Sequence, residues 1–350
     1  MKLVRDNIKK LQEYKPNEDT CKIKLDANEG RNFLFKSIKE DGIKFPEGFD
    51  INVYPDNDAA LLRDEIGKYI NVDPKNIVAG NGSSELIELI MKTYIDEGDS
   101  IVSFVPTFSM YMIFSQIYSA NFIGVESNED FSVDMDKLIQ KVDEINPKVI
   151  FLCNPNNPTG HLVKKDKIKK LLDNIDCILV VDEAYIEFAE GSMVDEILNY
   201  ENLIVLRTLS KALGLAGIRL GYMVTNEDII RTINKVKSPY NLNSISQYIG
   251  INALKNKDKI AEYVKDVKIE REFLYNSLTQ LSFQVYEPNG NFIFFKSDIK
   301  DLDAKLEEKG ILIRAFSDRL NNFYRVTVGE GWQNKEFIKS LKEILKDENS

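Results

Sequence analysis

Residues 203–222 read LIVLRTLSKALGLAGIRLGY. The first nine residues form a short, mostly apolar run, which predicts a buried strand that ends near Lys211. A solvated lysine normally has polar neighbours, whereas Lys211 is followed by alanine, leucine and glycine, with Arg219 further along the chain. Apolar surroundings and a nearby positive charge both disfavour the ammonium form of a lysine. The stretch therefore predicts a strand that presents a reactive amine at its carboxyl end.

Similar apolar runs occur on both sides of this strand. They are NIVAGNG (76–82), IVSFVPT (101–107), KVIFLCNPNNPTG (148–160), CILVVDEAY (177–185) and RLGYMVT (219–225). Helical periodicity lies between several of them, and the helix predicted over residues 56–70 is expected to carry Leu61, Leu62, Ile66 and Tyr69 on one side. Short apolar runs that alternate with helices predict a mostly parallel sheet with helices on both faces.

The pattern changes after about residue 250. A long amphipathic helix is predicted over 260–281, strands within 283–296, 311–316 and 324–328, and a closing helix over 336–347. This order of elements is typical of a smaller α+β domain. We therefore predict an N-terminal segment that packs with the small domain (1–45), a large domain that binds the cofactor (46–248) and the small C-terminal domain itself (249–350).

Composition and charge argue against several classes of partner and site. The chain has 350 residues and a formal net charge of −10, which argues against nucleic acid or an anionic membrane as the main partner. Three cysteines without a CxxC pair fit a reduced, cytoplasmic protein, and we identify neither a signal peptide nor a transmembrane run. Because His161 is the one histidine, we expect no metal site and look to a lysine for acid–base chemistry.

Polar residues cluster where the predicted strands end. These clusters are Gly80–Ser84, Asn154–Gly160, Asp182–Tyr185 and Ser210–Lys211. In a sheet of this type, ligands bind beyond the carboxyl ends of the strands. Taken singly, GNGSSE could be a phosphate cradle or a capped strand–helix turn, and Asp182 could be a cofactor ligand or a structural ion pair.

Taken together, the clusters meet four demands of one ligand. A cationic ring nitrogen needs a buried carboxylate, and a ring oxygen needs an amide and a tyrosine hydroxyl. A phosphate needs a glycine–serine turn and an arginine, and an aldehyde needs an amine. These are the demands of pyridoxal 5′-phosphate, and the predicted strand ends supply each of them.

The motifs resemble those of a known family. NPNNPTG (154–160), VVDEAY (180–185), RTLSKALGLAGIRLGY (207–222) and YRVTVG (324–329) resemble the fold-type I pyridoxal-phosphate aminotransferases, and NVYPD (52–56) and GNGSSELIE (80–88) extend the resemblance to the histidinol-phosphate branch. The resemblance covers the chain from about residue 23 to its end. It implies a mostly parallel seven-stranded sheet with helices on both faces, a smaller α+β domain, pyridoxal 5′-phosphate as cofactor, and a homodimer with shared active sites.

The resemblance also implies roles for the matching residues. Lys211 would bond the cofactor aldehyde and move the proton, Asp182 would pair with the pyridine nitrogen, and Tyr185 with Asn157 would bond the ring oxygen. The remaining cofactor residues implied are Ser83, Ser84, Phe108, Thr208, Ser210 and Arg219, together with Tyr54 of the partner subunit. The substrate residues implied are Asn28, Tyr54, Asn157, Arg314 and Arg325.

The reaction implied is transamination between an amino donor and a 2-oxo acid: L-histidinol phosphate and 2-oxoglutarate give imidazole acetol phosphate and glutamate in histidine biosynthesis. Arg314 and Arg325 favour a phosphorylated or doubly anionic substrate but do not identify it. An aromatic or broad-specificity aminotransferase and a phosphothreonine decarboxylase therefore stay open. A cofactor-sensing regulator would want a DNA-binding helix-turn-helix and a basic patch, and an NAD-dependent enzyme would want a glycine fingerprint, neither of which is recognisable here.

Overall fold

The computed structural model describes residues 3–11, 13, 21–40 and 45–348. Its strands are β1 (Ile23–Lys24), β2 (Ile77–Gly80), β3 (Ser100–Val105), β4 (Asn121–Glu126), β5 (Val149–Cys153), β6 (Ile178–Asp182), β7 (Leu203–Thr208), β8 (Gly221–Thr225), β9 (Gln284–Val285), β10 (Phe292–Lys296), β11 (Ile311–Leu312), β12 (Arg314–Ala315) and β13 (Phe323–Thr327). Its α-helices are α1 (Asp6–Lys9), α2 (Leu34–Glu40), α3 (Ala60–Ile70), α4 (Gly82–Tyr94), α5 (Met110–Ile117), α6 (Met135–Ile145), α7 (Lys165–Leu172), α8 (Glu227–Ile233), α9 (Ser244–Leu254), α10 (Lys257–Gln280), α11 (Leu302–Glu308) and α12 (Gly331–Glu348).

The central sheet has seven strands in the order β2-β8-β7-β6-β5-β3-β4. The pairs from β7 to β4 are parallel, and β8 runs antiparallel to both of its neighbours. The apolar runs predicted as strands all lie in this sheet, so the predicted fold class is confirmed. The carboxyl ends of β5, β6 and β7 meet at one edge, where Cys153 pairs in register with Asp182, and Asp182 with Leu206.

Helices cover both faces of this sheet. Successive residues of a strand point to opposite sides, so these continuously apolar strands present apolar side chains on both faces, and each face needs covering. Val180 packs with the helices α4, α5 and α8, whereas its neighbours Leu179 and Val181 belong to the core shared with α3, α6, α7 and α9. Val180, Leu179 and Val181 are fully buried. This burial on both faces explains why the strands are continuous apolar runs rather than alternating ones.

A second group of strands follows in the C-terminal part of the chain. A four-stranded antiparallel sheet has the order β12-β13-β10-β9; α10 packs against β9 and β10, and α12 packs against α10 and α11. The strand β1 pairs in parallel with β11, so residues 23–24 join the C-terminal part. The helix α1 instead contacts α5, where the Asn7 side chain donates to the carbonyls of Gln116 and Ile117 at 2.9 Å.

The three-part division of the chain therefore stays a prediction. Of the predicted N-terminal segment, residues 1–2, 12, 14–20 and 41–44 lie outside the described residues, as do residues 349–350 at the other end.

One predicted apolar face differs from the structure. The helix α3 begins at Ala60 rather than residue 56, and Leu61 is 70% exposed while Leu62 and Ile66 are fully buried. Leu62, Ile66 and Tyr69 follow the i, i+4, i+7 spacing of a single stripe, whereas Leu61 lies one step around the helix. The prediction that Leu61 shares the buried side was wrong for this reason.

Candidate active site

A cavity of about 560 Å³ opens where the strands β5, β6 and β7 end. Its walls come from the central sheet, the N-terminal segment and the C-terminal strands. The predicted site residues that line it are Ser83, Ser84, Phe108, Asn157, Asp182, Tyr185, Thr208, Ser210, Lys211, Arg219, Arg314 and Arg325. Two predicted residues, Asn28 and Tyr54, lie elsewhere.

Asp182 forms the floor of the cavity at the end of β6. Its carboxylate is buried and accepts a hydrogen bond from the Tyr111 hydroxyl at 2.7 Å and one from the Ala184 amide at 3.2 Å. Burial raises the pKa of Asp182 to about 6, and the hydrogen bond from Tyr111 opposes that rise. A carboxylate held in this way can stabilise a cationic ring nitrogen.

Tyr111 was not predicted from the sequence. It lies on α5, is fully buried, and stacks on Phe151 with ring centroids 4.6 Å apart. Burial raises the pKa of its phenol, as does the Asp182 carboxylate, so the hydroxyl stays protonated and can donate. Its ring also meets that of Phe108 edge-on, with centroids 5.6 Å apart.

Lys211 follows the end of β7 and reaches into the cavity. Its Nζ donates to the Ala27 carbonyl at 2.9 Å and lies 5.7 Å from the centroid of the Tyr185 ring. Desolvation lowers the pKa of Lys211 to about 7, and the positive charge of Arg325 is the next cause. Arg219 is nearer to Lys211 in sequence, but it lowers the pKa of Lys211 less than Arg325 does, which lies on β13. The amine is therefore partly unprotonated at neutral pH.

Tyr185, Asn157 and Arg325 form one polar wall. Arg325 Nη1 donates to Asn157 Oδ1 at 2.5 Å. Burial raises the pKa of Tyr185 to about 12, so the phenol remains a neutral donor. Asn28 lies behind this wall rather than along the cavity: it is fully buried, and its Nδ2 donates to the Tyr185 hydroxyl at 3.2 Å.

The opposite end of the cavity is suited to an anion. Ser83 and Ser84 lie in the first turn of α4, whose N-terminus favours negative charge. Thr208 Oγ1 donates to Ser210 Oγ at 2.9 Å, which holds both hydroxyls at the end of β7. The Arg219 guanidinium closes this end.

This anion-binding end, called the cradle below, consists of Ser83, Ser84, Thr208, Ser210 and Arg219. Its geometry depends on the absence of a side chain at Gly82. A Cβ atom on Gly82 would lie 2.7 Å from Arg219 Nη2, a distance that real Cβ contacts do not reach. Gly82 also has a φ of +80°, which side chains rarely adopt. Two serines at a helix N-terminus, two further hydroxyls and an arginine are the donor set that a phosphate requires.

The remaining wall contains charged residues that sequence reasoning did not identify. Lys24 Nζ lies 3.0 Å from Asp26 Oδ1 and 2.9 Å from Glu29 Oε2, and all three side chains line the cavity. Arg314 lines the same cavity, with its Cζ 6.0 Å from the Phe316 ring centroid. This wall offers cations and carboxylates together.

Tyr54 lies in a separate surface depression of about 440 Å³ formed by residues 51–55 and 243–245. It is 78% exposed and stacks on Tyr240 with centroids 4.4 Å apart. It does not line the cavity of its own chain. In the predicted role, Tyr54 acts on the partner subunit's cavity.

None of the helices in the described part of the chain is long and apolar enough to span a membrane. Nor do three or more histidine, cysteine, aspartate or glutamate side chains in these residues come together as a metal-binding group.

The sheet order and this strand-end cavity define the architecture of the fold-type I pyridoxal-phosphate-dependent transferases. The fold is similar to that of histidinol-phosphate aminotransferase from Sinorhizobium meliloti in complex with pyridoxal 5′-phosphate, with a TM-score of 0.88 over 99% of this chain and 98% of that one at 20% identity. The family model for class I and II aminotransferases matches residues 20–341, and the chain belongs to that family.

Two further relatives bear on the substrate. The chain is 42% identical over 343 residues to a histidinol-phosphate aminotransferase of Clostridium novyi, which covers 97% of this chain and 96% of the relative. It is also similar to the structure of L-threonine-O-3-phosphate decarboxylase from Porphyromonas gingivalis, with a TM-score of 0.80 at 25% identity over 93% of this chain and 99% of that one.

Proposed function

We propose that the protein is a pyridoxal-phosphate-dependent transaminase that moves the amino group of L-histidinol phosphate to 2-oxoglutarate, in histidine biosynthesis. The observation that carries the proposal is the single cavity in which Lys211, Asp182 and the anion cradle beside Arg219 meet. Full-length relatives at about 40% identity are histidinol-phosphate aminotransferases, which supports the same substrate.

The donor set of the cavity fits the cofactor. The cradle formed by Ser83, Ser210 and Arg219 would take its phosphate, and Asp182 its ring nitrogen. Asn157 and Tyr185 would donate to the ring oxygen, and Phe108 would lie against the ring. When bound, pyridoxal phosphate supplies an aldehyde that captures an amino group and a protonated ring that accepts electrons.

The protein's own side chains would move the proton and fix the charges. With a pKa near 7, Lys211 is a neutral amine for part of the time at physiological pH, so it can take a proton from the substrate carbon and return it. Asp182 supplies a fixed negative charge at the floor, provided that the pH is above about 6. Tyr185 stays neutral and orients without competing for the proton.

The charges of the wall that contains Lys24, Asp26, Glu29 and Arg314 suit histidinol phosphate. Arg314 would bind the substrate's phosphate, since the cradle beside Arg219 is already assigned to the cofactor. Asp26 and Glu29 offer carboxylate acceptors for an imidazole N–H. Arg325 would bind the carboxylate of 2-oxoglutarate or lie beside the phosphate of the carboxylate-free donor.

A decarboxylase is the second candidate, because the chain is similar to the Porphyromonas gingivalis enzyme and Arg325 suits a substrate carboxylate. An aromatic or broad-specificity aminotransferase is a further one. The test is side-by-side turnover of L-histidinol phosphate, L-phosphothreonine and L-phenylalanine, with 2-oxoglutarate, glutamate and carbon dioxide all quantified. We expect histidinol phosphate to give the highest kcat/KM and one glutamate per turnover. Carbon dioxide release from phosphothreonine at a higher kcat/KM would replace this proposal with the decarboxylase.

The active protein would be a cytoplasmic homodimer with shared sites. Ile51, Val53, Tyr54 and Ile245 are exposed and contiguous around the depression described above, which is the kind of surface that a partner covers. Mixing Lys211→Ala with Tyr54→Ala tests the sharing, because one site in each mixed dimer would regain both residues. Activity that does not rise above that of the two variants alone would contradict shared sites.

A further inference from the structure

The N-terminal segment crosses directly over the turn that follows Lys211. The residues that make this crossing, 26–31, are called the strap below. A Cβ on Gly30 would lie 2.2 Å from the Lys211 carbonyl oxygen and 2.7 Å from Gly214 Cα. A Cβ on Gly214 would lie 2.1 Å from the Arg31 carbonyl oxygen. The strap and the lysine turn therefore touch backbone to backbone, at a distance that only two glycines allow.

The same crossing brings a carbonyl to the amine of Lys211. Ala27 O accepts from Lys211 Nζ at 2.9 Å. When a neutral amine donates one hydrogen to a fixed acceptor, its lone pair is confined to the two remaining tetrahedral directions and cannot point at that acceptor. Asn28, the next residue, has a left-handed φ of 52°, which sets the direction of the peptide group between them.

The strap is anchored on both sides of Ala27. Arg325 Nη2 donates to the Asp26 carbonyl at 2.5 Å, and the Asn28 amide donates to Thr327 Oγ1 at 2.9 Å. At the far end, the Arg31 amide donates to the Tyr263 hydroxyl at 3.1 Å, and Arg31 Nη2 donates to the Gly329 carbonyl at 2.9 Å. Because β13, the loop that follows it and α10 all bond the strap, the strap is held in a fixed position across the lysine turn.

We propose that Gly30 and Gly214 are positioning residues for the reaction: their contact seats the strap on the lysine turn, so that the Ala27 carbonyl orients the free amine of Lys211 for proton transfer. This inference rests on the proposed function. The strap does not contribute to the phosphate cradle or to Asp182. Displacing it should therefore impair the proton-transfer step more than cofactor binding.

The test compares Gly30→Ala with Gly217→Ala. Both add one methyl group to a glycine, but a Cβ on Gly217 meets no atom within 4 Å. In Gly30→Ala we expect kcat to fall by about 10²-fold, the typical result of misplacing a catalytic group by 1 Å. The isotope effect from deuterium on the reacting carbon should rise, while the Kd for pyridoxal phosphate changes by less than about 3-fold, well under 1.4 kcal/mol. Gly217→Ala should match the wild type in kcat, in the isotope effect and in the Kd for pyridoxal phosphate.

A second measurement does not depend on turnover. In the cofactor-free full-length protein, acylation of Lys211 by an amine reagent, followed by peptide mass spectrometry, should be several-fold faster in Gly30→Ala than in the wild type or Gly217→Ala. Equal labelling and equal kcat in the two glycine variants would overturn the proposal, and so would parallel losses of kcat and cofactor affinity with unchanged labelling. If the wild type transaminates nothing, the proposed function fails, and the labelling still decides whether the strap covers the amine.

Gly30→Ala could also prevent folding, which thermal unfolding would reveal. Tyr263→Phe then decides by the same readouts, because it keeps the ring and removes only the hydroxyl that accepts from the Arg31 amide. We expect a smaller effect in the same direction, namely faster Lys211 labelling and a lower kcat with cofactor affinity maintained. No change in either labelling or kcat would overturn the proposal.

Discussion

The two ends of the cavity are constructed differently. At one end, called the cofactor end for its proposed ligand, Asp182 and Ser210 lie at or just past the ends of neighbouring strands of one sheet, and the strand register fixes their spacing. At the other, called the substrate end on the same proposal, Lys24 and Glu29 come from the N-terminal segment, and Arg314 comes from a different sheet. One end is thus set by continuous hydrogen-bonded structure, and the other by how separate parts of the chain pack together.

This difference has a functional consequence. Changes at the cofactor end should lower turnover of every amino donor by a similar factor, because all donors use the same proton transfer and the same ring charge. Changes at the substrate end should discriminate between donors, because each residue there would contact only one part of the substrate. The four substitutions below test this contrast, in order of decreasing expected effect.

Lys211→Ala should have the largest effect. In the proposed mechanism it removes both the amine that would bond the cofactor and the general base, and general acid–base catalysis alone contributes up to about 10⁴-fold. We expect kcat to fall by at least that factor for all donors, measured in single-turnover experiments at saturating cofactor. Turnover near the wild-type rate would eliminate Lys211 as the catalytic residue.

Asp182→Asn should have the next largest effect, again on every donor alike. Removing one partner of a buried ion pair costs about 3–5 kcal/mol, which corresponds to roughly 10²–10³-fold or slightly more. We expect losses of this size in cofactor affinity and kcat, measured by equilibrium dialysis and by initial rates. If thermal stability changed while affinity and kcat did not, Asp182 would be structural.

Arg314→Ala should affect a phosphorylated amino donor more than an unphosphorylated one. A hydrogen bond to a charged group contributes about 1.5–3 kcal/mol, so kcat/KM for L-histidinol phosphate should fall by about 10- to 100-fold. The kcat/KM for L-histidinol, which lacks the phosphate, should change little, since Arg314 has no second anion to bind. Arg319→Ala, on the same C-terminal part but pairing with Glu126, is the matched control. Equal losses for both donors would place the phosphate elsewhere.

Tyr111→Phe should have the smallest effect, and it should depend on pH. The hydrogen bond from Tyr111 favours ionised Asp182, so removing it raises the pKa of Asp182 above its value of about 6. In its proposed role, Asp182 would pair with the cofactor only when ionised, so cofactor affinity should be present above this pKa and lost as the pH falls through it. The loss should begin at a higher pH in the variant, with cofactor Kd measured from pH 5 to 9. Tyr118→Phe, which removes a hydroxyl bonded to Glu88 outside the cavity, should leave the profile unchanged.

The sequence predicted the sheet and the cofactor end for the same physical reason. A strand buried on both faces must be a continuous apolar run, and polar residues at its end are conspicuous against that background. Asp182 after ILVV and Lys211 after LRTLS stand out in this way. The roles assigned to these residues remain predictions, although the cavity brings their side chains together.

The substrate end could not be predicted in this way. Lys24 and Glu29 reach the cavity because β1 pairs with β11, a contact that no local pattern encodes. Tyr111 was missed for a different reason: an aromatic residue at helical spacing is typical of the core, and its ring does pack on Phe151. Its functional contact is made by the hydroxyl alone, which donates to Asp182, and one polar atom on a buried ring leaves no periodic signal in the sequence.

The cradle at Gly82 also constrains how this sequence can change over time. Because the Arg219 guanidinium occupies the space where a side chain at position 82 would begin, a substitution at 82 would displace the arginine, and the φ of +80° at this position would strain the new residue as well. The two positions are distant in the chain, yet we expect their substitutions to be coupled, because a side chain at 82 and the Arg219 guanidinium would compete for the same space. Among relatives that keep this arginine, residue 82 should therefore tolerate less variation than the exposed helix positions that follow it.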